Sequence, residues 1–159
     1  MRERDATTRN SINSKIQIAS RQLPNFLTHV SLRYGGHLLL QCSHWPGPVS
    51  AALYVALKSG SRENTRNWVD SDKQLEDAIL MAKTFHALTE RNQSSCQLDL
   101  MLVYERCKTG RDMTLYPVNT LRNYARLQAR SPLIGLFDAD MLTSRSLFED
   151  LEQPDALER

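Results

Sequence analysis

Between Pro46-Gly47-Pro48 and a polar stretch that begins at Lys58 runs Val49-Ser-Ala-Ala-Leu-Tyr-Val-Ala-Leu57. Such a run has no alternation and so no side to show to water. It reads as a β-strand covered on both faces, the situation of strands in parallel sheets flanked by helices. Gln97 to Tyr104 and Leu133 to Phe137 are further strands of the same kind, and Lys15 to Ser20 alternates apolar and polar residues as a short first strand. Helical spacing appears between them. Leu75, Ile79, Ala82 and Phe85 share one face behind Ser71 or Asp72 as a cap, Asn119 to Arg130 forms a second helix, and Ser144 to Leu151 starts a third. Asn25 to Trp45 is mixed: Leu27, Val30 and Leu38-Leu39-Leu40 are apolar, but Gly35-Gly36 weakens a helix there. Strands alternating with helices at short spacing predict βαβ units, a mostly parallel Rossmann-type α/β sheet. The divisions are a polar arm over 1–14, a domain over 15–151 and a polar tail over 152–159.

Bulk properties exclude more than they identify. Twenty basic against 18 acidic residues leave a net charge of +2, which gives no ground for nucleic-acid binding. No apolar run reaches the ~20 residues of a membrane span, and the first ten residues lack the apolar core of a secretory signal. Cys42, Cys96 and Cys107 form neither a Cys-x-x-Cys pair nor a zinc pattern, and an odd count leaves at least one thiol without an intramolecular partner. His29, His37, His44 and His86 show no metal-ligand spacing and read as surface or satisfied core residues. Trp45 beside Pro-Gly-Pro reads as a packing residue whose indole N–H finds a loop carbonyl, with sugar stacking as its alternative role.

Chemistry concentrates near the end of the chain. Leu133-Ile-Gly-Leu-Phe137 leads straight into Asp138-Ala139-Asp140. The strand ends in these two carboxylates, and both leave it on one side, because residues i and i+2 share a face. Ligands of open α/β sheets bind outside the carboxyl ends of strands. Two hard anionic groups there suit a divalent cation carrying a diphosphate. The preceding helix carries Asn119, Arg122, Asn123 and Arg126 at i, i+3, i+4 and i+7. Pro117 stops any upstream helix, Asn119 is a good cap, and a cationic, amide-bearing face near a helix start suits a diphosphate.

Tyr116-Pro-Val-Asn-Thr-Leu-Arg-Asn-Tyr-Ala125 followed by Phe137-Asp-Ala-Asp140 resembles the glucuronyltransferase family that contains the second catalytic domain of LARGE. His44-Trp-Pro-Gly-Pro-Val-Ser-Ala-Ala-Leu-Tyr-Val55 resembles the Trp-x-Gly-Pro-Ile-Ser segment and second strand of the same family. The resemblance implies a GT-A fold, a UDP-sugar donor, Mn²⁺ held by Asp138 and Asp140, and inverting transfer to a glycan acceptor. It implies donor contacts from Asn119, Arg122 and Asn123, a nucleotide contact from Ser20, and a Golgi-lumen location. Members of the family continue beyond the Asp-x-Asp motif through an acceptor-binding half, a further metal ligand and a catalytic base. The expectation is therefore a nucleotide-binding half, truncated after that motif, with an apolar face for a partner chain to cover and no transfer by this stretch alone. A truncated, non-catalytic binding module is the alternative. A nucleotidyltransferase would want a Gly-rich or Lys-bearing phosphate loop, and residues 15–25 hold no glycine and only Lys15.

Overall fold

A computed structural model describes residues 23–58, 65–109 and 111–153, with only the backbone considered over 65–70. Four strands, β1 (Asn25–Ser31), β2 (Pro48–Lys58), β3 (Gln97–Cys107) and β4 (Ile134–Leu136), form one sheet in the order β3-β2-β1-β4, and every pairing is parallel. Helices α1 (Gly35–His44), α2 (Thr65–Arg91), α3 (Val118–Leu127) and α4 (Arg145–Leu151) connect or follow them. The strands at 49–57, 97–104 and 133–137 fall where the apolar runs place them. The strand expected at 15–20 lies outside the described residues.

The mixed stretch from Asn25 to Trp45 is two elements, β1 and α1, joined by a 3-10 turn at Leu32–Tyr34. Gly35 and Gly36 open the helix instead of interrupting it. The close approach at Gly35 explains one of them: a Cβ there would meet the Phe85 ring at 2.5 Å. Helix α2 also begins earlier than its apolar spacing suggests. Ser71 and Asp72 are interior to it, and Asp72 accepts a 2.9 Å hydrogen bond from Arg106 of β3.

Alternation along β1 sorts the core into two layers. Phe26 and Val30 face α1, α2 and α4, together with Leu38, Trp45, Val49, Leu53, Phe85 and Phe148. Leu27 faces the other way, with Ala52 and Tyr54, onto Leu121 and Ala125 of α3. The chain steps β1 to β2 to β3 in one direction, then α3 carries it back beneath the sheet to place β4 on the far side of β1. That reversal is a topological switch point, where neighbouring strands diverge in connection and leave a crevice. Trp45 is fully buried, stacked on Phe26 at 3.8 Å and edge-on to Phe148 at 5.3 Å, while its indole Nε1 donates to the Pro48 carbonyl at 3.3 Å. It is the packing residue of this layer. Gly47 lets it lie there, since a Cβ at 47 would come within 2.7 Å of the indole.

Candidate functional site

Strand β4 is short. It pairs with β1 only from Asn25 to Leu27, and a last hydrogen bond runs from the Phe137 N–H to the Leu27 carbonyl at 3.0 Å. Beyond that point β1 keeps β2 on one side but among the described residues has no strand on the other, and the chain after β4 turns away. A cavity of about 510 Å³ occupies the gap. Its lining comes from the end of β1 (His29, Val30, Ser31), the start of α1 (Tyr34, His37), the approach and start of α3 (Tyr116, Val118, Arg122) and the turn Asp138-Ala139-Asp140. The volume is that of an ordinary small-ligand pocket. It lies at the switch point, outside the carboxyl ends of β1 and β4.

The two carboxylates reach the cavity by a different route from the one their spacing suggests. β4 ends at Leu136, so Asp138 and Asp140 lie past the strand, on a turn closed by a 3.0 Å hydrogen bond from the Met141 N–H to the Asp138 carbonyl. Strand alternation does not orient them; the turn does. Ala139 between them is buried and seats the turn in the core layer. Gln41 of α1, itself fully buried, donates from Nε2 to the carbonyls of Met141 at 3.3 Å and Asp138 at 3.5 Å.

Helix α3 supplies the cation of the site. Its cap position is Pro117, whose carbonyl accepts from the Leu121 N–H at 3.0 Å, so Asn119 stands inside the first turn and is not the cap. Leu121 and Ala125 are buried. Arg122, on the edge of that buried face, sends Nη2 to Asp138 Oδ1 at 2.9 Å. Asn119, Asn123 and Arg126 point further round and are exposed, and none of them lines the cavity. The polar stripe seen in the sequence is thus mostly the solvent side of an amphipathic helix, with one residue turned inward. Ser20 lies outside the described residues.

Two groups escape any reading by spacing. His29 projects from β1 with its side chain 10% exposed, its Nδ1 3.1 Å from the Tyr116 hydroxyl and its Nε2 3.7 Å from Asp138 Oδ1. Among the described residues Nε2 has no hydrogen-bond partner. Burial, and next the Arg122 charge, hold the His29 pKa below its usual 6.5 against the opposing pull of Asp138, so the ring is neutral near pH 7. Burial alone pushes the Tyr116 phenol up to about 12, so it keeps its proton. The adjacency of His29 and Asp138 is non-local: Leu27 pairs with Leu136, and the turn after β4 carries Asp138 back to His29.

The family model described as "Glycosyl-transferase for dystroglycan" matches residues 25–155. The chain belongs to this glycosyltransferase family. Among its relatives, the mouse xylosyl- and glucuronyltransferase LARGE2 is 34% identical over 110 residues, 69% of this chain and 12% of that protein. Human LARGE2 is 32% identical over the same span, and human LARGE1 30% identical over 112 residues. The chain therefore spans about 12% of the length of the curated relatives it matches. The family match takes in β1, the Asn119–Asn123 helix and the Asp138-Ala139-Asp140 turn, so every wall of the cavity belongs to it.

The three cysteines divide unequally. Cys42 at the end of α1 is disulfide-bonded to Cys96 ahead of β3, and Cys107 is a buried free thiol. Burial, reinforced by the Glu105 and Asp112 charges, pushes the Cys107 thiol up in pKa, so it stays protonated and unreactive.

Proposed function

We propose that this chain forms the donor site of a glycosyltransferase that binds a UDP-sugar together with a divalent cation, Mn²⁺, and serves inverting transfer of a glucuronyl or xylosyl residue to a glycan acceptor. One observation carries the reading. Two carboxylates on a single turn and an arginine on a facing helix line one cavity at the switch point of a parallel sheet. The donor set fits. Asp138 and Asp140 offer hard oxygen ligands, and no cluster of three or more His, Cys, Asp or Glu among the described residues makes a cage by itself. Ions of the Mg²⁺ and Mn²⁺ type are held in just this way by one or two carboxylates plus substrate phosphates. When bound, the cation supplies Lewis-acid stabilisation of the departing diphosphate.

The protein's own groups then have separable tasks. Asp140, exposed at the mouth, is the freer carboxylate for the cation. Asp138 is held in place by Arg122, and the Gln41 amide fixes the turn that carries both. Asn119 and Asn123, exposed on the outer side of α3, would contact the part of a donor that extends beyond the cavity. A Golgi-lumen location goes with this reading. The Cys42–Cys96 bond supports it, because such bonds persist in oxidising compartments. No helix among the described residues is long and apolar enough to cross a membrane.

The test is calorimetry of UDP binding to folded protein with and without Mn²⁺. UDP should bind measurably tighter with the cation present. Asp140→Asn should weaken the Mn²⁺-dependent affinity at least tenfold, about 1.4 kcal/mol. Equal affinity in the two proteins would remove Asp140 from the site.

A further inference from the structure

Two side chains approach Asp138 at one oxygen. Arg122 Nη2 reaches Oδ1 at 2.9 Å, and His29 Nε2 stands 3.7 Å from the same atom. The two neighbours differ in how firmly they are themselves held. The Arg122 and Asp138 side chains are 39% and 45% exposed, and a pair this open to water fixes geometry weakly. His29 is 10% exposed and projects from β1, where it pairs with Ala52 of β2. Its Nδ1 is tied to the Tyr116 hydroxyl at 3.1 Å, with the two rings 5.5 Å apart. A paired strand and a second side chain thus lock the imidazole in place.

The Tyr116 bond also decides which ring nitrogen carries the proton. A proton on Nδ1 would leave Nε2 turning a lone pair on a carboxylate 3.7 Å away. The phenol keeps its own proton, and donating it to Nδ1 puts the imidazole proton on Nε2, where the carboxylate attracts it. That N–H is sealed from solvent and has no hydrogen-bond partner among the described residues. Neither ligand nor water reaches it, so the acceptor that can complete it is the protein's own Asp138 Oδ1, about half an ångström beyond hydrogen-bond range. We propose that His29, oriented by Tyr116, is a positioning residue that fixes Asp138 through Oδ1 and leaves the second carboxylate oxygen to the cation. The proposal rests on the donor-site reading above. Carboxylates that hold a metal are in turn hydrogen-bonded, and loss of such an outer partner costs about 10–100-fold in metal affinity.

The experiment is calorimetry of UDP with and without Mn²⁺ on wild type, His29→Gln and His29→Leu. Glutamine can repeat both contacts, accepting from Tyr116 with its carbonyl and donating to Asp138 with its amide. Leucine fills similar space and makes neither. His29→Leu should lose at least ~10-fold of the Mn²⁺-dependent UDP affinity, with the affinity in the absence of the cation moving less, and His29→Gln should recover most of the loss. Nitrogen NMR of histidine-labelled wild type, which needs no variant, should find His29 neutral with its proton on Nε2 at about pH 7.5. A proton on Nδ1 overturns the proposal. So does a His29→Leu protein that keeps the full cation-dependent gain, or a His29→Gln protein no better than His29→Leu. In each of these cases the donor-site reading stands, provided wild-type UDP binding depends on Mn²⁺. If wild type shows no such dependence, the donor-site reading itself falls, and the role given to His29 falls with it.

Discussion

Asn25 and His29 stand four residues apart on one strand and on the same side of the sheet, and the chain treats them in opposite ways. Asn25 is fully buried and fully used. Its Nδ2 donates to Ser50 Oγ at 3.1 Å and to the Phe26 carbonyl at 3.3 Å, and its Oδ1 accepts from the Arg130 N–H at 3.0 Å. Here β1 is flanked on both sides, by β2 and β4, and Arg130 is itself ion-paired with Asp99 of β3. At His29 β4 has ended, and a buried ring nitrogen has no hydrogen-bond partner among the described residues. The other buried unpaired polar atoms among the described residues are Thr28 Oγ1 on β1, Gln41 Oε1 beneath the carboxylate turn and Thr143 Oγ1 just after it. Polar groups that hold the fold are saturated by the protein. Unpaired ones gather around the turn and the end of the β1–β4 pairing.

The largest effect is expected at the anchored end. The Cys42–Cys96 bond closes a loop of 54 residues in sequence separation, and Cys96 N–H also donates to the Cys42 carbonyl at 2.9 Å. Chain-entropy reasoning puts the loss on replacing both cysteines with alanine at about 4 kcal/mol. Urea unfolding should show that shift, while the UDP affinity of the fraction still folded should stay within about twofold. A parallel collapse of affinity would show that the staple shapes the cavity as well as the scaffold.

Asn25→Leu comes next. It strands the Arg130 N–H and the Ser50 hydroxyl in a buried setting, so a loss of about 2–3 kcal/mol is expected, read from the urea midpoint at unchanged slope. His29→Ala, four residues on, should cost less than about 1 kcal/mol, since it removes a group whose second nitrogen was never satisfied. Reversal of that order would mean that His29 is a structural residue and Asn25 is not the anchor.

How far the residues announced this arrangement depends on whether a feature is local. β2 was legible because burial on both faces leaves an unbroken apolar run. β3 and β4 were legible as apolar runs too, although Ile134 and Leu136 of β4 and Tyr104 to Arg106 of β3 are exposed. The Asp138–Asp140 pair and Arg122 were legible because a strand end and a helix start are short-range signals. β1 was not, because Thr28 and His29 break its pattern and Gly35-Gly36 masks the helix that follows. Nor were His29, Tyr116 and Gln41. His29 reaches Tyr116 across 87 positions of sequence and Gln41 reaches Asp138 across 97, and nothing but the sheet order brings them together. Of the stripe of Asn119, Arg122, Asn123 and Arg126, only Arg122 lines the cavity. Periodicity locates a helix face but cannot say which edge of it meets a cavity.

Gln41 links the two regimes, one residue from the stapled Cys42 and bonded to the turn that carries both carboxylates. Its bonds are long, so Gln41→Leu should cost only about 1 kcal/mol of stability. The Mn²⁺-dependent UDP affinity should nevertheless drop roughly threefold to tenfold, about 1 kcal/mol, as the turn loosens. A drop in stability with full affinity would assign the amide to packing alone.

The smallest effect is a slope. Burial and then the Arg122 charge hold the folded-state pKa of His29 below the 6.5 of an ordinary histidine, and Asp138 offsets only part of this. As pH falls below 6.5 the unfolded chain takes up a proton that the folded chain refuses. Stability therefore rises with pH in that window and is lost as pH falls toward the folded-state value. His29→Gln has no such proton. Its stability relative to wild type should be flat from about pH 7.5 upward and grow steadily in its favour as pH drops toward 5. Taking the difference between the two proteins cancels the other histidines and the carboxylates that also titrate. A difference that stays flat through this window would mean that His29 accepts its proton freely in the folded protein. A charged imidazole would then face Asp138 directly, and the contrast with Asn25 would be one of charge and not of an open hydrogen bond.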